Sequence, residues 1–245
     1  MVTHCRRPRR NSLKIKVVIP VSTNKWDEQV ASDYKRLGRP QTSVDITHLK
    51  QGPEAIQSEY DEANVTPFIL EEVTQSVRRS YDAIIIYCFS DPALAAAREI
   101  STIPVLSIGE SSQLFAMGLA DRIGILATVD QTIPKIRRKL GARGILSRFP
   151  SVRALNIPVL DYDHREVVMG QALHVANLMV NQDKVEALIL GCGSLFGIKE
   201  RLEEGLSLPV VAPGEVALKH AEMLVELRLS HSKKSFMMPL PVEVH

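Results

Sequence analysis

Two cysteines stand out because each follows the pattern of a buried strand and precedes polar residues. Residues 82–92 read DAIIIYCFSDP, and residues 83–87 form the apolar, β-branched run typical of a parallel strand buried on both faces. The run ends at Cys88, where Ser90 or Asp91 can cap a helix and Pro92 suits its first position. Ligands bind at the carboxyl ends of strands in open α/β sheets, and a helix N-terminus lowers the pKa of a nearby thiol. We therefore expect Cys88 to lie in a site, with a raised thiolate fraction.

The second cysteine lies in a twin of this stretch. Residues 186–192 read EALILGC, and Ser194 can cap a helix over residues 195–204. Cys192 follows Cys88 by 104 residues, and other strand segments recur at nearly the same spacing, such as IPVL at 103–106 with LPVV at 208–211. This spacing predicts an internal duplication that places one thiol at the same position in each half.

Two thiols that face one pocket from opposite sides suit the racemisation of a carbon acid without a cofactor. One thiolate removes a proton from one face of the carbon, and the other thiol delivers a proton to the opposite face. The developing enolate needs hydrogen-bond donors, and the backbone amides around Phe89, Ser90, Gly193 and Ser194 are our candidates. The alternative is that both cysteines are small buried strand-end residues, copied by duplication without any chemical role.

Strand and helix patterns alternate along the chain and predict an α/β fold. Residues 13–21 read as the first strand, and Ser22 and Thr23 follow it, so they either bind a substrate oxygen or merely cap the helix over residues 26–37. Thr128 occupies the equivalent loop of the second half. Residues 54–64 are charged and irregular, a candidate lid or surface loop, and we expect the next helix to begin only at Thr66.

Composition excludes several classes of protein. The chain has 245 residues, of which 45% are hydrophobic and 24% charged, as in ordinary globular proteins. Its formal net charge of +2 owes much to four arginines among the first ten residues, so nucleic acid is not an expected partner. We expect residues 1–12 to be a disordered basic tail. No apolar run approaches the length of a membrane span, and the N-terminus has no apolar signal region. Three widely spaced cysteines favour a reducing, cytoplasmic location, and no residues show metal-ligand spacing.

The segments CFSDPALAAARE and LGCGSLFG resemble the hydantoin and allantoin racemase branch of the aspartate/glutamate racemase superfamily. The resemblance runs from about residue 14 to about residue 241. It implies two pseudo-symmetric three-layer α/β lobes with mainly parallel four-stranded sheets, the active site in the cleft between them, and no cofactor or metal. The catalytic cysteines of the family map onto Cys88 and Cys192. The first-strand motif of the family corresponds to residues 19–23, which keep Pro20 and the hydroxyls of Ser22 and Thr23 but lack both asparagines, so the carbonyl substrate stays open.

We accordingly expect a first lobe of residues 13–110 plus 215–245 and a second lobe of residues 111–214. The expected protein is a homo-oligomeric racemase of a small molecule, with a 5-substituted hydantoin or allantoin as the favoured substrate. The alternatives are a racemase of an amino acid such as aspartate or glutamate, a cysteine-dependent maleate-type isomerase or decarboxylase, and a non-catalytic small-molecule binding protein.

Overall fold

The computed structural model describes residues 12–240 and contains two separate four-stranded sheets, each with all strands parallel. The first sheet has the order β2-β1-β3-β4, formed by β1 (Leu13–Ile19), β2 (Thr42–His48), β3 (Ala83–Ile86) and β4 (Val105–Ser107). The second sheet has the order β6-β5-β7-β8, formed by β5 (Ile123–Ala127), β6 (Ser151–Ala154), β7 (Ala187–Leu190) and β8 (Val210–Val211). The predicted pair of equivalent α/β lobes is therefore confirmed. Residues 1–11 of the predicted basic tail, residues 1–12, lie outside the described residues.

The central strands are apolar because helices cover both faces of each sheet. Every residue of β3 and β7 is at most 1% exposed, which is why both strands read as continuous hydrophobic runs rather than as alternating patterns. The two sheets also share their register: β1 pairs with β3 through Val17 and Ile85, and β5 pairs with β7 through Ile125 and Ile189. The residues that follow β3 and β7 consequently occupy equivalent positions in the two lobes.

Between residues 12 and 240, eight α-helices connect and cover the strands. They are α1 (Asp27–Leu37), α2 (Glu59–Arg78), α3 (Leu94–Ile100), α4 (Ile108–Ala116), α5 (Thr132–Ala142), α6 (Arg165–Asn181), α7 (Lys199–Leu206) and α8 (Pro213–Glu226). Helix α4 packs against β7 of the second sheet, whereas α8 returns to contact α1, β1 and β3 of the first. The chain therefore crosses from one sheet to the other near both predicted lobe boundaries. The boundaries themselves stay a prediction. None of these helices, within residues 12–240, is long and apolar enough to cross a membrane.

Three helix starts differ from the sequence prediction. Helix α2 begins at Glu59, well before Thr66, because Ser58 and Asp61 form a reciprocal capping box, and Pro67 is accommodated inside the helix. Helix α3 begins at Leu94, because Asp91 and Ala93 adopt left-handed backbone conformations with φ of +52° and +57°. Helix α7 begins at Lys199 rather than at residue 195. Both cysteine loops are therefore longer than expected.

Candidate active site

The two cysteines lie at the carboxyl ends of equivalent strands and line one cavity. Cys88 is the second residue after β3, and Cys192 is the second residue after β7. The cavity has a volume of about 60 Å³. Four further residues that the sequence analysis singled out also line it, namely Pro20, Phe89, Gly193 and Ser194. The structure thus brings together one thiol from each lobe, as duplication and strand-end placement predicted.

Tyr87 joins the two cysteine loops. Its hydroxyl donates a hydrogen bond of 3.1 Å to the Gly193 carbonyl, so the residue before one cysteine holds the residue after the other. A Cβ at Gly193 would lie 2.5 Å from the Tyr87 ring, which is closer than atoms tolerate. The Tyr34 ring packs edge to face against the Tyr87 ring, with a centroid distance of 5.9 Å. The relative position of the two thiols therefore depends on this aromatic contact.

Burial keeps both thiols protonated. Burial raises the pKa of Cys88 to about 12, although the nearby Lys135 ammonium and the backbone N–H of Ser90 act in the opposite direction. Burial also raises the pKa of Cys192, which is opposed by hydrogen bonds from the side chain and backbone of Ser194; the Ser194 Oγ lies 2.9 Å from the Cys192 Sγ. Our expectation that a helix N-terminus would lower the thiol pKa is wrong, because α3 and α7 begin six and seven residues after the cysteines.

A buried ionic cluster spans the lobes beside Cys88. Glu62 on α2 accepts from Lys135 Nζ at 3.0 Å and from Lys139 Nζ at 2.5 Å, and both lysines belong to α5 of the other lobe. Lys135 is only 2% exposed. Lys139 also donates to the carbonyl of Ser90 in the Cys88 loop. Lys135 lowers the pKa of Cys88, and Glu62 raises it by a smaller amount, so the two together favour the thiolate form of that cysteine.

Four predicted site residues lie outside the lining of the thiol cavity: Ser22, Thr23, Ser90 and Thr128. The backbone N–H of Ser22 donates to the Pro53 carbonyl at 3.0 Å, and the Thr23 hydroxyl accepts from the Lys25 backbone at 3.3 Å. Thr128 is buried. Ser90 acts on Cys88 through its backbone rather than its side chain. A role for these four residues in substrate binding stays a prediction.

Sequence reasoning missed most of the apolar lining. Trp26 lines the thiol cavity, and so do Ala55 and Ile56 from the charged segment of residues 54–64. Ile19, Val21, Tyr87 and Val159 complete the lining. Ile19, Val21 and Tyr87 belong to segments that the sequence analysis singled out. The other residues, Trp26, Ala55, Ile56 and Val159, carry no shared motif, so only their positions in space identify them. Within residues 12–240 no group of three or more His, Cys, Asp or Glu side chains is arranged to hold a metal ion.

A larger cavity adjoins the thiol cavity. It has a volume of about 250 Å³, and Trp26 and Ser194 line both cavities. Tyr162 and Phe196 form apolar parts of its wall, whereas its other lining residues include charged side chains such as Lys25. A ligand can therefore occupy the thiol cavity with one part and the larger cavity with another.

Two parallel α/β lobes with one thiol from each lining a shared cavity are the features expected of a cysteine-dependent racemase, and comparison with known families gives the same class of protein. The profile of the Asp/Glu/hydantoin racemase family matches residues 15–221. The chain belongs to this family, and it is an isomerase of the racemase type.

Individual relatives within the family are hydantoin and allantoin racemases. The chain is 30% identical to the hydantoin racemase of Pseudomonas sp. (strain NS671) over 222 residues, which is 90% of this chain and 89% of that protein. Its structure is similar to that of the allantoin racemase from Pseudomonas fluorescens, with a TM-score of 0.90 and 28% identity over 95% of this chain and 100% of that one. The allantoin racemase from Klebsiella pneumoniae gives a TM-score of 0.87 at 26% identity over 96% of both chains.

Proposed function

We propose that this protein racemises a 5-substituted hydantoin by two-base proton transfer between Cys88 and Cys192. The observation that carries the proposal is that the two thiols, one from each lobe, line the same cavity. A carbon acid held there has one thiol available to each of its faces. The similarity to hydantoin and allantoin racemases supports the same class of substrate.

The lining of the thiol cavity favours a neutral ring over a free amino acid. None of the described residues that line it carries a charged side chain. An amino-acid substrate would bring an ammonium and a carboxylate into an apolar space without counter-charges, and such burial is expensive. A hydantoin ring carries the same acidic carbon between a carbonyl and a nitrogen but has no formal charge. Aspartate and glutamate are therefore the less favoured substrates.

In the proposed reaction, the thiolate of one cysteine removes the proton from the ring carbon that bears the substituent, and the electron pair delocalises into the adjacent carbonyl as an enolate. The thiol of the other cysteine then donates its proton to the opposite face of the carbon. The product is the other enantiomer, and the two cysteines have exchanged protonation states. The next turnover in the same direction requires the proton to return between the thiols, directly or through solvent.

The enolate charge requires donors that are already in place. The backbone N–H groups of Ser90 and Ser194 act to lower the pKa of Cys88 and Cys192 respectively. We propose that neighbouring amides of the same two loops, at Phe89 and Gly193, donate to the ring carbonyls. The Tyr87 hydrogen bond to the Gly193 carbonyl fixes the orientation of the second loop. The expected homo-oligomer, the cytoplasmic location, the lack of a cofactor and the lobe boundaries stay predictions.

The test is the separate replacement of each cysteine. Enantiopure L and D forms of a 5-alkylhydantoin are incubated in deuterated water, where polarimetry follows racemisation and NMR follows exchange of the ring proton. We expect Cys88→Ser and Cys192→Ser each to lower racemisation at least about a hundredfold, because a serine hydroxyl is far too weak an acid to replace a thiol. Each variant should retain exchange of one enantiomer only, and the two variants should prefer opposite enantiomers.

The matched control is Cys5→Ser, which removes the third cysteine and should racemise at the parent rate. A no-enzyme sample in the same buffer corrects for spontaneous racemisation. If Cys88→Ser or Cys192→Ser racemises both enantiomers like the parent, the replaced cysteine is not one of the two bases. A parent enzyme that leaves every hydantoin unchanged contradicts the assigned substrate class.

A further inference from the structure

The hydroxyl of Ser194 distinguishes the two cysteine loops. Ser90 and Ser194 occupy equivalent positions, each two residues after its cysteine. The Ser194 Oγ lies 2.9 Å from the Cys192 Sγ, so a hydrogen bond joins the two side chains. Within residues 12–240, the sulfur of Cys88 has no such hydroxyl partner, and Ser90 acts on it through its backbone N–H. One thiol of the pair therefore contacts a hydroxyl and the other does not.

Ser194 also lies at the boundary between the two cavities. This half-buried residue lines both the thiol cavity and the larger cavity, whereas Cys192 lines only the thiol cavity. Among the described residues, the Cys192 sulfur is the one hydrogen-bond partner of the Ser194 Oγ. A hydroxyl has one proton to donate and two lone pairs with which to accept. The Ser194 hydroxyl can therefore bond the sulfur and a second molecule at the same time.

The larger cavity is suited to water. Its volume of about 250 Å³ is many times the roughly 10–15 Å³ that one water molecule requires. Charged side chains in its lining, among them Lys25, Glu28 and Asp163, supply polar partners for water. The thiol cavity is smaller, about 60 Å³, and its lining is mainly apolar. A substrate ring in the thiol cavity displaces water from it, so Ser194 then remains as the link between Cys192 and solvent.

We propose that the Ser194 hydroxyl relays protons between the Cys192 thiol and water in the larger cavity. The Cys192 S–H proton passes to the Ser194 oxygen while the Ser194 O–H proton passes to a water molecule. The S–H bond and the original serine O–H bond break, and a new serine O–H bond and a hydronium O–H bond form. Cys192 becomes a thiolate, and the serine stays neutral. The same path in reverse protonates Cys192.

The relay provides half of the proton return that the two-base reaction requires, so the inference rests on the proposed function. Once Cys192 has taken a proton from the substrate, it must lose that proton before it can act as a base again. A captured proton that cannot leave returns to the same carbon, and no exchange with solvent results. Ser194 acts on the substrate only through Cys192, as a positioning residue for the proton of that thiol.

The test uses proteins that keep a single base. Cys88→Ser retains Cys192, and Cys192→Ser retains Cys88. Enantiopure 5-alkylhydantoins labelled with deuterium or tritium at the ring carbon are incubated in ordinary water, and loss of the label is measured. We expect Ser194→Ala to slow label loss through Cys192 at least about fivefold more than label loss through Cys88. The matched variant Ser194→Thr keeps a hydroxyl and should retain most of the rate through Cys192.

The isotope effect on label loss separates a relay from a structural role. With the relay, the captured label leaves Cys192 faster than it returns to the carbon, so the measured rate reflects abstraction and shows its full isotope effect. Ser194→Ala should lower this isotope effect, because release of the label from Cys192 then limits the rate. A hydroxyl that only orients the thiol or stabilises its thiolate would slow abstraction itself and leave the isotope effect undiminished.

Three results overturn the relay and leave the proposed function standing, provided that the parent racemises the hydantoin. They are equal slowing of label loss in both single-base proteins, an isotope effect that Ser194→Ala does not lower, and a loss of rate in Ser194→Thr as large as in Ser194→Ala. A parent that racemises no hydantoin, or a Cys88→Ser protein that exchanges neither enantiomer, refutes the proposed function and the relay with it.

Discussion

The raised pKa of Cys88 makes a quantitative prediction about thiol reactivity against pH. Burial raises the pKa from its ordinary value of 9.0 to about 12. At pH 8, a thiol with a pKa of about 12 is roughly one ten-thousandth ionised, whereas a thiol with a pKa of 9.0 is about one-tenth ionised. The thiolate fraction of Cys88 is therefore about a thousandfold lower than that of an ordinary cysteine.

The lower fraction is partly offset by the greater nucleophilicity of a more basic thiolate. For thiol–disulfide exchange, the rate constant of the thiolate rises by about 0.4–0.5 logarithmic units per unit of pKa. Over three units this gain is about fifteen- to thirtyfold. The net expectation is that Cys88 reacts with a small disulfide about thirty to sixty times more slowly than an unperturbed thiol, before any further slowing from restricted access.

The assay is the reaction with dithiodipyridine from pH 6 to pH 10, in variants that leave one cysteine to observe. The Cys5→Ser/Cys192→Ser protein reports on Cys88, and the Cys5→Ser/Cys88→Ser protein reports on Cys192. Because only the thiolate reacts, we expect the rate to rise about tenfold per pH unit without a plateau below pH 10. The same proteins unfolded in urea should level off above about pH 9 and supply the internal reference.

A plateau below pH 9 in the folded protein would refute this reasoning. It would show that the backbone donors and Lys135 outweigh burial and hold the Cys88 pKa near or below that of a free thiol. If the raised pKa is correct, the kcat/KM of racemisation should also rise with pH through the same range, because the free enzyme must form one thiolate.

Three further predictions concern the surroundings of the thiols and overall stability. Gly193→Ala places a Cβ 2.5 Å from the Tyr87 ring and should cost about 1–3 kcal/mol of unfolding free energy together with most of the activity, measured by urea unfolding and polarimetry; unchanged values would mean that the ring moves freely. Lys135→Met removes a cation beside Cys88 and should slow the reaction of Cys88 with dithiodipyridine. The same substitution should leave the reaction of Cys192 with dithiodipyridine unchanged. Burial lowers the pKa of His231 from 6.5 to about 4, so the unfolded chain binds more protons at pH 5, and the stability present at pH 7 is progressively lost below pH 6.5. Allowing for its partial exposure, the difference in unfolding free energy between pH 7 and pH 5 should shrink by about 1–2 kcal/mol in His231→Gln, and an equal pH dependence in both proteins would contradict this account.

The sequence could predict the strands and their duplication because a strand buried on both faces leaves a local signature. The apolar runs before Cys88 and Cys192 can be read without any knowledge of neighbouring elements. One helix was also predicted well, since α1, expected over residues 26–37, lies at Asp27–Leu37. Helix starts were predicted less well, because the left-handed backbone at Asp91 and Ala93 is not encoded by a glycine or any other obvious residue.

The sequence by itself determined which residues could act as acid and base: two cysteines at equivalent strand ends of a duplicated α/β unit. Only the tertiary structure decided their surroundings. Trp26 and Tyr162 come from different lobes, and neither has a neighbouring motif that marks it as part of a site. The protonation state of the thiols was likewise decided by burial, which depends on every loop that closes over the cavity. A pKa is set by the whole electrostatic environment of a group, and that environment exists only once distant segments have packed together.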